Sequence, residues 1–149
     1  GYKITYQNYK SDTTLVHYLV GAAGRNANLL MNIGPQPDGC LPEVAVERLK
    51  KMGEWMKVYG ETIYGTRGGF VAPHDWGVTT QKDNRLFVHI LNLQDKVLYL
   101  PTGNKQMKKA VDFVSRKAVK MQKCQGGVIL TLDAVPTAVD QVIEIGFIQ

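Results

Sequence analysis

Apolar residues recur at helical spacing at Leu15, Val16, Leu19, Val20 and Ala23. They predict a helix with one broad buried face. Ser11 or Asp12 supplies its cap, and Gly24, free to take positive φ, supplies its stop. Residues 2–10 carry no clear period and read as a loop. After the turn Arg25-Asn26, the run Leu29-Leu30-Met31 is unbroken rather than alternating. It predicts a strand over residues 28–33 covered on both faces, as in a parallel sheet. Pro35, Pro37 and Asp38-Gly39 then close a turn. Pro42 opens a second helix, whose apolar positions are Ala45, Leu49, Met52, Met56 and Tyr59, and Gly60 ends it.

The period changes to two from about Phe70. Gly65-Thr66-Arg67-Gly68-Gly69 reads as a hinge or linker. Beyond it Leu86, Val88 and Ile90 alternate with Phe87, His89 and Leu91, and Val97 to Leu100 ends at Pro101-Thr102-Gly103-Asn104. Val111 and Phe113 flank Asp112, Val119 and Met121 lead to a Gly126-Gly127 hairpin, and Val128, Leu130 and Leu132 return from it. Ile143, Ile145 and Phe147 close the pattern. Short strands at this spacing predict an antiparallel sandwich. The first part then poses a problem, since a strand apolar on both faces needs neighbours on both edges. Only one such strand is present, so residues 1–64 read as a piece of a sheet whose other strands lie elsewhere. The expectation is the C-terminal part of a longer protein.

Composition narrows the chemistry without supplying any. The 149 residues are 44% hydrophobic and 21% charged, with no apolar run near the ~20 residues of a membrane span. Two cysteines, Cys40 and Cys124, make no disulfide framework. The net charge is +5, and seven of the 18 Lys/Arg lie between Lys105 and Lys123, where Asp112 is the sole acid. Without interleaved aromatics this reads as the solvated face of a strand pair, not a nucleic-acid groove. His17, His74 and His89 lack metal-site spacing and read as surface or half-buried residues. No nucleophile elbow, P-loop or glycine-rich dinucleotide fingerprint occurs, so no cofactor is implied. Asp38 reads first as a turn residue, and Asn32, at the strand's end, as a ligand contact or a loop stabiliser. Trp55 reads as packing and Trp76 as a domain-junction residue.

One resemblance goes further. Asn28-Leu-Leu-Met-Asn-Ile-Gly-Pro-Gln-Pro-Asp-Gly39, then Pro42 and the run Gly53-Glu-Trp-Met-Lys-Val-Tyr-Gly-Glu-Thr-Ile-Tyr-Gly-Thr66, resembles the α-L-fucosidases of glycoside hydrolase family 29. The resemblance implies an α/β fragment, the last strand and flanking helices of a (β/α)8-like barrel over residues 1–66. An all-β antiparallel sandwich over residues 70–149 would follow. It implies a parent enzyme that is a retaining exo-glycosidase removing terminal α-linked L-fucose from glycans. The parent's nucleophile, acid/base and fucose-binding histidines would lie upstream, so this chain alone is expected to be inactive, with no catalytic residue. Tyr2 and Asn32 would touch substrate. The implied partners are fucosylated glycan and the remainder of the barrel, with no nucleic acid and no membrane span. The implied location is exported or lysosomal. A carbohydrate-binding or purely structural sandwich module is the competing reading.

Overall fold

The computed structural model describes residues 8–148. Helix α1 spans Asp12–Gly24, capped by Ser11, whose hydroxyl accepts from the Thr14 amide. Helix α2 spans Glu43–Tyr59 and continues into a 3-10 turn, Gly60–Thr62. Gly60 caps the α-helix, as expected, and begins the 3-10 turn. Eight strands follow: β1 (Arg67–Gly68), β2 (Gly77–Lys82), β3 (Arg85–Ile90), β4 (Val97–Leu100), β5 (Gln106–Asp112), β6 (Lys120–Cys124), β7 (Gly127–Thr131) and β8 (Gln141–Ile148).

The strands form two antiparallel sheets, one ordered β1-β2-β3-β8-β5 and the other β4-β7-β6. The expected Gly65–Gly69 linker contains β1, which pairs Arg67 with Gln81 and Gly68 with Thr80. Asp83 and Asn84, both at positive φ, turn β2 into β3, the geometry a tight hairpin requires. The two sheets share a core of Leu86, Val88, Ile90, Leu100, Leu130, Ile143, Ile145 and Phe147. Burying such side chains contributes roughly 1.5–3 kcal/mol each.

The five-stranded sheet has a second covered face. Val16 and Val20 of α1 pack on Val78 of β2, with Trp55 and Ile63 against the same cluster. Phe87 and His89 on β3 are therefore as buried as Leu86 and Val88 between them. The molecule has three layers, helices on sheet on sheet. The alternation in β3 separates two interiors, not an inside from an outside.

Three expectations need correction. Residues 28–33 form no strand here, because a strand exists only through ladder hydrogen bonds and no other described element pairs with them. Leu30 is 92% exposed. Gly24 lies inside α1, and Asn26 takes the positive φ that ends the helix. His89 is not a surface or half-buried residue but fully buried, since α1, α2 and the 3-10 turn lie over its face of the sheet.

Candidate functional site

A cavity of about 590 Å³ lies beside α1 and the start of α2. Tyr9, Tyr18, residues 29–34 and Arg48 line it. The turn after residue 34 is locally specified. Gln36 and Cys40 close it through a 2.7 Å backbone hydrogen bond, and the Asp38 carboxylate accepts from the Cys40 amide at 2.9 Å. Asp38 is thus a turn residue, as its sequence context predicts. Arg48 donates to Asp12 at 2.8 Å and ties the two helices together behind the cavity.

Asn32 lines this cavity, and its side chain makes no hydrogen bond to a described residue. Its carboxamide is free to donate and accept. Tyr2 lies outside the described residues. The cavity wall includes neither a carboxylate nor a histidine, so a glycosidic bond placed there meets no acid, base or nucleophile among these residues. What the arrangement offers is shape, apolar contact, the side-chain amides of Asn8 and Asn32, two tyrosines and the cations Lys10 and Arg48.

A second constellation has the outline of a hydrolase triad. His89 Nδ1 lies 2.6 Å from Asp140 Oδ2, and its Nε2 lies 3.2 Å from Thr80 Oγ1. Two observations remove it from catalysis. All three residues are at most 1% exposed, and the Thr80 hydroxyl donates its proton to the Thr62 carbonyl at 2.6 Å. Thr80 therefore accepts from His89 rather than surrendering a proton to it, the reverse of the triad's working direction. The network joins β2, β3 and the segment before β8 to the 3-10 turn. Spacing could not reveal it, because His89 and Asp140 are 51 residues apart.

The remaining sequence candidates have structural positions. Trp55 stacks on Tyr59 at 5.0 Å, and burial followed by the nearby Asp140 and Asp112 charges pushes the Tyr59 phenol up. Trp76 is in the sandwich core and stacks on His74 at 5.5 Å. His17 donates from Nε2 to the Val139 carbonyl at 2.7 Å. Both cysteines are free, Cys40 in the exposed turn. Among the described residues no helix is long and apolar enough to cross a membrane.

Comparisons with known proteins agree on one group. Residues 1–61 match the model of the family described as Alpha-L-fucosidase. The plasma alpha-L-fucosidase of Rattus norvegicus is 39% identical over 92 residues, covering 58% of this chain and 20% of that protein. The Homo sapiens plasma enzyme is 38% identical over 89 residues, covering 56% and 19%. Among solved structures, alpha-L-fucosidase isoenzyme 1 from Paenibacillus thiaminolyticus superposes with a TM-score of 0.88 at 27% identity. That match covers all of this chain and 37% of the other. The Thermotoga maritima alpha-fucosidase gives 0.81 at 27% identity, covering 97% and 36%. This chain is similar to the C-terminal portion of alpha-L-fucosidases, and it spans about a fifth of the length of the curated relatives it matches.

Proposed function

We propose that this chain is the C-terminal part of an exo-α-L-fucosidase that hydrolyses terminal α-linked L-fucose with retention. In this reading residues 1–66 end the catalytic barrel and residues 70–149 form the appended sandwich. Residues 28–33 are the last barrel strand, which acquires its ladder only beside upstream strands. The observation that carries the reading is the unfinished surface around these residues. An apolar segment without strand partners lines a large cavity, and Tyr18, Leu30, Leu49 and Val58 remain exposed near it or along α2. The similarity to enzymes about three times longer supports the same view.

The chemistry follows from what the cavity lacks. Retaining hydrolysis needs two carboxyl groups ~5 Å apart, one to attack the anomeric carbon and one to protonate the leaving oxygen. Both would come from upstream strands. This chain would supply the pocket's rim, with the Asn32 amide and Tyr2 on the sugar hydroxyls. Trp76, buried in the core, does not support the alternative of a glycan platform at that residue.

The test is hydrolysis of an aryl α-L-fucoside. The full-length protein is expected to turn it over, and residues 1–149 alone are not. Asn32→Ala in the full-length protein should raise KM several-fold, since one lost neutral hydrogen bond costs about 0.5–1.5 kcal/mol. Turnover by the isolated chain would overturn the reading, as would an Asn32→Ala enzyme with unchanged KM and kcat.

A further inference from the structure

At the far end of the sandwich, a cleft of about 240 Å³ opens between the Thr102–Gln106 loop and the β6–β7 hairpin. Lys105, Lys123, Thr102, Asn104 and Gln106 are among the residues that line it, and none of its lining residues is acidic. Lys105 is held in place, its ammonium 5.0 Å from the Phe70 ring centre and 5.8 Å from that of Phe147. This contact fixes the cation but leaves its charge uncompensated. Thr102 is 4% exposed, and its hydroxyl has no hydrogen-bond partner among the described residues. That hydroxyl is not fully enclosed, so water or a ligand in the cleft can reach it.

The charge continues outside it. The Val111–Ala118 bridge and the Val119 amide on the Ala110 carbonyl run β5 alongside the segment entering β6. Lys109 on β5, and Lys117 and Lys120 on the segment entering and starting β6, are all exposed along these neighbouring stretches. Asp112 accepts from the Val114 and Ser115 amides and from Gln141, and Arg116 is taken by Glu144. None of the ion pairs among the described residues involves a lysine.

We propose that this cleft and the flank formed by Lys109, Lys117 and Lys120 bind a polyanionic glycan. One sulfate or carboxylate substituent sits between Lys105 and Lys123, on the Thr102 hydroxyl, and the chain lies along the flank. Choosing a glycan over other polyanions rests on the fucosidase reading; the charge argument does not. The enzyme would thereby hold an acidic polymer at a surface separate from the pocket rim. Edge-strand lysines also discourage sheet-to-sheet association, and the experiment separates the two roles.

The full-length protein is titrated with dextran sulfate, unsulfated dextran of equal length, inorganic sulfate and duplex DNA. Dextran sulfate should bind, and its affinity should fall about tenfold as added salt screens the exposed charges; unsulfated dextran should not bind. Lys105→Gln/Lys123→Gln should weaken binding about tenfold and Lys109→Gln/Lys120→Gln several-fold, each losing charge attraction to the polymer. Circular dichroism should be unchanged in both variants, and melting should be unchanged in Lys109→Gln/Lys120→Gln, whose side chains are exposed, but slightly lower in Lys105→Gln/Lys123→Gln, which loses the ring contacts of Lys105. Equal affinity in wild type and both variants would overturn the proposal. So would inorganic sulfate binding as tightly as the polymer, DNA binding more tightly, or aggregation of the variants without any dextran sulfate binding by the wild type. Fucoside hydrolysis, measured in parallel, should be the same in all three proteins. Its absence from the wild type would count against the fucosidase reading alone.

Discussion

Glu144 on β8 accepts from Arg85 of β3 at 2.8 Å and from Arg116 of the β5–β6 loop at 2.6 Å, while Arg85 also reaches Glu61 at 2.6 Å. Burial opposes ionisation of the Glu144 carboxyl, but the hydrogen bonds from Arg85 and Arg116 outweigh it and hold the group below its ordinary 4.5. A carboxyl depressed in the folded state contributes stability that is complete above the unfolded value and is lost as pH falls through the folded one. Glu144→Gln should therefore cost about 1–2 kcal/mol near neutral pH, with the exposed Arg116 contributing little of it. The difference from wild type should shrink below pH 4.5, as urea melts across pH would record. His89→Leu carries a larger penalty. It strands Asp140, whose Oδ1 already lacks a partner, and breaking a buried pair from one side costs about 3–5 kcal/mol. The Asp140→Asn/His89→Gln pair should recover part of that loss in chemical denaturation. None of this was legible from spacing. His89 occupies an alternating position like any other, and only the topology brings β8 beside β3.

At the scale of elements, the contact between α1 and β2 depends on a missing atom. A Cβ on Gly24 would lie 2.4 Å from Val78 Cβ, so Gly24→Ala must push the helix off the sheet. Overpacking of this kind costs about 1–3 kcal/mol, and a lowered melting temperature with retained helical signal would check it. The helix itself was plain from the spacing of Leu15, Val16, Leu19, Val20 and Ala23, and Ser11 caps it as expected. The reason for Gly24 was not, because a close approach between elements leaves no local mark. The hairpin at Gly126, the strand ends at Pro101 and the turn at Asp38 were legible for the opposite reason, being decided by backbone geometry within a few residues. Residues 28–33 mark the limit. Their apolar run states that both faces want cover, but it does not state which strands would pair with them, and no described element does.

At the scale of the whole molecule, the sandwich core and the helical layer have unequal support. β3 and β8 are paired on both edges and covered on both faces, whereas α2 buries only Ala45 fully. In residues 1–149 alone, amide hydrogen exchange should be fast through α2 and slow through β3 and β8. In the full-length protein the α2 amides should slow by an order of magnitude or more, the outcome expected if upstream segments cover its outer side. The same middle sheet bears on how such a protein can be shortened or recombined. A splice at Gly65–Gly69 looks harmless in the sequence, yet it would remove the roof over Val78, Phe87 and His89 and leave Asp140 facing water. The excised sandwich would be an oil-faced slab with a carboxylate in it, prone to stick to its own copies.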